Sequence, residues 1–432
     1  MNSTLQNRNV HRTVLPNGIV VIVVENPAAD IISGRLFLQA GGRWVPRSQA
    51  GLPHLLAATI TKGTEELSSL EIAERVESIG AGIGADAAND YFLTTMKTVS
   101  SDFPEILELV ASLLRSPTFP ESEVELEKKL ALSAIRSQQE QPMAVAFDNL
   151  RQAMYPDHPY AFSSLGLEET VAHLTREDIK AYHQQYFRPD NLVISLAGRI
   201  TPDDAVALVE KFFGDWQAPQ TPLPKPAFSQ PIAQPSVQTL AQDTQQTILM
   251  LGYLTSAVRN LEDGDTPSPD YPVLKLLNTY LGNGLSSRLF VELRERQGLA
   301  YDISAFYPTR LDPSHFVAYM GTAPENTDTA LQQMRSEIER LGDRTLSEET
   351  LQTAKNKLLG QYALGKQTNG QLAQIYGWYE ILGLGVDFDA YFPEAIANVT
   401  PKQAQDVAQK YLQQPYISLV GPQNAIANHA CS

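Results

Sequence analysis

Two hydrophobic periods take turns along the chain, so strands and helices are expected to interleave. Residues 13–25 and 31–40 read as strands. The first contains Ile19-Val-Val-Ile-Val-Val24, a β-branched run preceded by the turn signal Pro16-Asn-Gly18. Ser68-Ser-Leu-Glu71 has the form of a capping box and opens a helix with Ile72, Val76 and Ile79 on one face, closed by Gly80. A polar strand over residues 90–99 follows. Asp102-Phe-Pro-Glu105 then reads as a second capping box, with Ile106, Leu109, Val110 and Leu113 as the apolar stripe behind it. Pro120 starts a longer helix that carries Glu127.

From Met143 the pattern starts over. Residues 147–154 are short and amphipathic, and Tyr155-Pro-Asp-His-Pro-Tyr160 is a loop. Thr175-Arg-Glu-Asp178 caps a helix running to Tyr186, residues 191–197 form a strand, and residues 201–213 a helix. Residues 218–236 hold six prolines and few large apolar side chains, the composition of a semi-rigid spacer. The expected division is therefore a first half over 1–217, a linker over 218–236 and a second half over 237–432. The second half repeats the order of elements: a strand at 247–254, a helix at 271–281 broken by Gly282-Asn-Gly284, and a helix at 347–359 that echoes the one around Glu127. The fold class this implies is α+β, two similar halves with helices laid over a sheet.

Composition narrows the function classes. Hydrophobic residues make up 43% and charged residues 19%, the balance of an ordinary globular chain. No apolar run approaches the roughly 18 residues of a membrane span, and the N-terminus lacks an apolar signal core. A net charge of −16 argues against nucleic acid, whose binding draws on basic patches. The charge would favour basic peptides, and serves solubility equally well. The single Cys431 excludes an intramolecular disulfide and fits a reducing, cytoplasmic setting, with a periplasmic one left open. Neither a Gly-x-Ser-x-Gly elbow nor a phosphate-binding Gly-x4-Gly-Lys-Ser/Thr loop is present.

The most informative stretch is Gly51-Leu-Pro-His-Leu-Leu-Ala-Ala-Thr-Ile-Thr-Lys-Gly-Thr64. Pro53 suits a first helical turn, Gly63 lies just past the end, and His54 and Ala58 share a face. A helical His-x-x-Glu-His would offer one zinc ion two imidazoles and supply a catalytic carboxylate; here Ala57 and Ala58 stand at the last two positions. This block resembles the Gly-Leu-x-His-Leu-Leu-Glu-His-x-x-x-Lys-Gly-Thr signature of the pitrilysin/insulinase/processing-peptidase family of zinc metallopeptidases. Gly51, Leu52, His54, Leu55, Leu56, Lys62, Gly63 and Thr64 match it. The family's downstream Glu-x6-Glu, whose second Glu is the third zinc ligand, corresponds to Glu127 and Ala134. One imidazole is no zinc site, so His54 reads as a remnant kept for packing. His158, His173 and His183 read as turn or surface residues.

A second block, Ser286-Ser-Arg-Leu-Phe-Val-Glu-Leu-Arg-Glu-Arg-Gln-Gly-Leu-Ala-Tyr301, is similar to the family's Ser-Arg-Leu-x-x-x-Leu-Arg-x-x-x-Gly-Leu-x-Tyr. A helix is expected to end at Gly298 and a strand to begin at Leu299. The resemblance implies that Arg294 and Tyr301 reach a scissile peptide, for which a guanidinium and a phenol are suitable donors. The alternative is that Arg294 serves its helix C-terminus and Tyr301 packs in the core. The resemblance also implies substrate contacts from Gly282, Gly284 and Ser287, and a clam-like shell of two halves. With the zinc set lost and the Arg/Tyr pair kept, it implies the non-zinc subunit of a heterodimeric peptidase. In that reading the chain binds no metal itself, zinc sits in a homologous partner, the chain forms a homodimer without it, and the substrate is an unfolded peptide. The competing expectation is a non-catalytic structural or peptide-binding relative, comparable to core subunits of respiratory complexes.

Overall fold

The Pro16-Asn17-Gly18 signal folds residues 13–25 back on the segment before them, so two strands stand where one is expected. In the computed structural model, which describes residues 9–226, 228–264 and 266–429, β1 (Val10–Val14) pairs antiparallel with β2 (Val20–Glu25), Val14 facing Val20. Cys431 lies outside the described residues. The other strands of the first sheet are β3 (Ile31–Leu38), β4 (Gly82–Ala87), β5 (Phe92–Val99) and β6 (Leu192–Gly198), in the order β1-β2-β6-β3-β5-β4. The second sheet comprises β7 (Val237–Ala241), β8 (Thr247–Thr255), β9 (Asp302–Phe306), β10 (Ser314–Thr322) and β11 (Tyr416–Gly421), in the order β7-β11-β8-β10-β9.

The two orders are one topology. Replacing β2, β6, β3, β5 and β4 by β7, β11, β8, β10 and β9 maps the first sheet, less its edge strand β1, onto the second. The pairing sense maps as well: β2 and β6 are parallel, as are β7 and β11, and the other matched pairs are antiparallel. The internal repeat, weak residue by residue, is complete at the level of strand order.

The chain forms two compact units, and they trade segments. The first takes the chain up to Ile135, residues 163–227 and residues 365–386; the second takes residues 136–162, 228–364 and the chain from Asp387. Helices α1 (Leu52–Thr59), α2 (Ser69–Ser78) and α3 (Phe103–Arg115) come before the first crossing, which falls within α4 (Glu121–Gln139). Helix α5 (Pro142–Met154), from the first half of the sequence, packs on β8 and β11 of the second unit. The helix Asn369–Ile381, from the second half, packs on β3 and β6 of the first. Both seats need a missing side chain. A Cβ on Gly377 would stand 2.4 Å from the Phe37 ring, and one on Gly252 would stand 2.7 Å from Met154 Sδ.

Local signals decided several termini. Ser68 and Thr175 make both bonds of a capping box, and Thr201 accepts from the Asp204 amide. Asp102 is a correction: its side chain caps nothing. Ser100–Asp102 is wound as a 3-10 turn that holds Asp102 near helical angles, φ −97 and ψ −1, whereas an N-cap residue sits in the extended region. Strand β4 was missed because Gly82-Ile-Gly-Ala-Asp-Ala87 carries little β propensity and exists through its pairing with β5. No helix among the described residues is long and apolar enough to cross a membrane.

Candidate functional site

Helix α1 opens at Gly51, whose φ of 97° only glycine adopts without strain, and Pro53 lies in its first turn. Leu52, Leu55 and Leu56 are buried and fix the rotation of the helix. His54 is then half-buried, Ala57 buried and Ala58 half-buried. Burial lowers the pKa of the His54 imidazole, with the carboxylates of Asp86 and Glu127 pulling the other way. Glu127, on α4, is held by Lys62 Nζ at 2.9 Å. Ala134, one residue before the last buried turn of α4, is exposed.

These residues do not fit a zinc ion. The methyl groups at 57, 58 and 134 donate nothing, and the Glu127 carboxylate already has an ammonium partner. Among the described residues no group of three or more His, Cys, Asp and Glu side chains is placed to hold a metal. Of the other histidines, His173 is exposed and His158 lies in the expected turn, but His158 and His183 are both buried and so are not surface residues. His158 is 2% exposed and accepts the Tyr160 amide at 3.1 Å. His183 is stacked on Phe187 with centroids 4.5 Å apart. Some of the rings that enclose them are close in sequence, Tyr155 and Tyr160 for His158 and Phe187 for His183, but Phe228 at 4.1 Å from His158 and Phe119 at 5.6 Å from His183 are brought in by the fold.

The second block is built differently from an ordinary helix. Phe290–Arg296 is wound as a π-helix, a rare form that recurs at functional sites, and it closes at Gly298 with φ 65°. Three arginines ride on this segment and its approach, and two are committed. Glu292 bridges Arg288 at 2.5 Å and Arg296 at 2.7 Å, and Arg288 also meets Glu337 at 2.7 Å. Arg294 is exposed, makes no ion pair among the described residues, and lies 5.0 Å over the Phe290 ring. After the π-turn the Tyr301 amide donates to Gly321 O on β10 at 2.9 Å. The backbone is thus fixed while the ring remains 59% exposed, next to edge strand β9. Tyr301 is not a core residue. The strand begins at Asp302, three residues later than expected, because residues 299–301 are spent on the turn.

The two glycines of the preceding loop have distinct tasks. A Cβ on Gly282 would stand 2.0 Å from Ala305 N, so this position lets the helix Asp270–Gly282 touch β9; Gly284 has φ 78°. Ser287 is 1% exposed, with its hydroxyl enclosed and lacking a hydrogen-bond partner. It is therefore not presented to a ligand in this conformation, unlike Arg294 and Tyr301. Sequence reasoning missed the residues that hold this loop. Lys357 Nζ donates to the Asn283 carbonyl and reaches Ser286 Oγ at 3.2 Å, and the Asn283 side-chain amide donates to Gln361 Oε1 at 2.8 Å. Lys357 and Gln361 are four apart on the helix Glu348–Leu364, a spacing that puts them on one face.

Comparison with known proteins places both blocks in context. Residues 20–167 match the family described as insulinase (peptidase family M16), and residues 173–358 match the peptidase M16 inactive domain. The chain is 27% identical over 417 residues to an uncharacterized zinc protease of Bacillus subtilis (strain 168), covering 96% of this chain and 98% of that one. It is 26% identical over 420 residues to an uncharacterized zinc protease of Streptomyces coelicolor, covering 96% and 90%. Among solved structures, a peptidase M16 inactive domain from Pseudomonas fluorescens superposes with a TM-score of 0.86 at 24% identity, covering 96% of this chain and 98% of that one. A protease from Helicobacter pylori gives 0.89 at 20% identity, covering 96% and 100%.

Proposed function

Because the chain belongs to peptidase family M16, with alanine at two of the three zinc-ligand positions and at the base position, we propose that it is the non-zinc subunit of a heterodimeric metallopeptidase. Its partner is a homologous chain with a complete His-x-x-Glu-His, and the substrate is an unfolded peptide. Zinc in that partner supplies the Lewis acidity and the activated water. This chain supplies two donors, the Arg294 guanidinium and the Tyr301 hydroxyl, which hold the scissile carbonyl and stabilise the charge that develops on it.

The observation that carries the reading is the contrast between the two blocks. At the first, His54 is the one ligand left, alanines occupy 57, 58 and 134, and the Glu127 carboxylate is paired with Lys62. At the second, Arg294 and Tyr301 are exposed and open to a ligand. Reconstitution tests the proposal. The isolated chain is expected to hydrolyse no peptide, and addition of the zinc-bearing homologue from the same host is expected to give a stable complex with turnover absent from either chain alone. A partner whose turnover is unchanged by this chain would favour the alternative, a non-catalytic structural or peptide-binding relative.

A further inference from the structure

A charged side chain in the middle of a central strand is costly unless something meets it. Arg35 sits in the middle of β3, between Ser33 and Phe37, on the face covered by the helix Asn369–Ile381. Its cross-strand neighbours are Thr95 on β5 and Ser195 on β6, neither of them acidic. The guanidinium is half-buried and makes one hydrogen bond, from Nη1 to its neighbour's carbonyl, Gly34 O, at 2.9 Å. It has no ion pair among the described residues, unlike Arg12, which is bound to Glu380 at 2.7 Å.

Arg35 opens onto a groove of about 620 Å³ within the first unit. Gln374, Ile375 and Trp378 line it from one face of the helix, at the three- and four-residue spacings that share a face, and Tyr91 closes it from the turn before β5. Gly370 also lines it. A Cβ there would stand 3.1 Å from Arg35 Nη2, so the glycine leaves the fork of the guanidinium clear.

We propose that this groove binds a peptide carboxylate flanked by a bulky apolar side chain, the carboxylate on Arg35 and the side chain against Ile375, Tyr91 and Trp378. A planar fork matches a carboxylate bidentately. A phosphate dianion is the poorer fit, because the groove contributes one cation and no second arginine or lysine. Nor is general anion attraction the explanation, since the chain carries a net charge of −16. The attraction is local. The carboxylate has two sources, the C-terminus of a peptide or an acidic side chain beside an apolar residue. The inference rests on the reading of the chain as a peptide-handling subunit, and assigns it an anchoring point separate from Arg294 and Tyr301.

The test uses the isolated full chain and three capped peptides: N-acetyl-Gly-Gly-Leu with a free carboxyl, the same peptide as its amide, and N-acetyl-Glu-Leu amide. Binding is read by calorimetry and by tryptophan fluorescence, with Trp378→Phe assigning the optical change. The expected result is saturable binding of the free acid, of the glutamate peptide, or of both, and none of the neutral amide; which acid binds identifies the source. Arg35→Gln is expected to weaken that binding by about 10- to 100-fold, the range for removing a charged hydrogen-bonding partner. Arg35→Lys keeps the charge but loses the fork, and is expected to recover only part of it. It also serves if Arg35→Gln melts early. Equal binding of acid and amide, binding unaffected by both Arg35 variants, or no binding of either acid would overturn the proposal. No partner chain takes part in this measurement. Peptide binding with a wild-type-like Tyr301→Phe turnover would remove the subunit reading and leave the groove, and the opposite pair of results would do the reverse.

Discussion

His183 should make the first unit lose stability in acid, because its ring is buried without a charged partner. The ring is 8% exposed, stacked on Phe187 at 4.5 Å and edge-on to Phe119 at 5.6 Å. Its Nε2–H donates to the Leu114 carbonyl at 2.9 Å. Burial outweighs that bond and pushes the imidazole pKa down from 6.5 to about 4. Between those values the unfolded chain takes up a proton that the folded chain refuses, so stability is present above pH 6.5 and is lost as pH falls toward 4. Below about 4 both states are protonated and the loss stops growing. At about 1.36 kcal/mol per pKa unit the full effect is roughly 3 kcal/mol, of which about 2 falls between pH 7 and pH 4.5. His183→Gln keeps a donor for Leu114 and does not titrate. All three tryptophans, Trp44, Trp216 and Trp378, belong to the first unit, so fluorescence-detected urea unfolding is read from probes placed in that unit. The measurement is the difference between wild type and His183→Gln at the two pH values, in which His315 and the carboxylates common to both chains cancel. A wild-type loss that exceeds the variant's by about 2 kcal/mol is expected; identical losses would refute the buried, neutral assignment.

Three further outcomes follow from the same geometry. Gly282→Ala is expected to destabilise the second unit by about 1–3 kcal/mol, because the new methyl meets the backbone of Ala305 at 2.0 Å and not a movable side-chain end; urea unfolding followed by far-ultraviolet circular dichroism measures it. The isolated chain is expected to retain no stoichiometric zinc after dialysis against a chelator, since alanines occupy 57, 58 and 134; one zinc per chain by atomic absorption would contradict this. Light scattering is expected to show a heterodimer with the zinc-bearing homologue and a homodimer without it, and a monomer under both conditions would count against assembly.

What the sequence revealed was local, or was carried by residues that are absent. Ser68 and Thr175 could be read as caps because the bonded partner lies three residues away. That positions 57, 58 and 134 offer no ligand could be read because alanine has no donor in any conformation. Strand order was only half legible, since the repeated order of elements gave two similar halves but not the crossing of α5 and Asn369–Ile381 between units. That exchange depends on Gly377 meeting Phe37 and Gly252 meeting Met154, pairs separated by about a hundred residues or more. The π-turn before Tyr301 has no sequence signature comparable to a capping box, and the Lys357 clamp on Asn283 joins residues 74 apart. Burial of His158 and His183 is completed by Phe228 and Phe119, each more than sixty residues away, although Tyr160 and Phe187 stand close by in sequence.

The central claim, that this chain lends donors to a partner's active site, is tested most directly at one oxygen atom. Tyr301→Phe removes the hydroxyl and keeps the ring, which is 59% exposed and so adds little to stability. Steady-state turnover of an unfolded peptide is measured on the reconstituted pair, with thermal melts and light scattering of the same samples. The expected result is unchanged assembly and melting with kcat lowered by about 100- to 1000-fold, the usual effect of removing one oxyanion donor. A Tyr301→Phe complex that assembles, melts like wild type and turns over at the wild-type rate would contradict the claim.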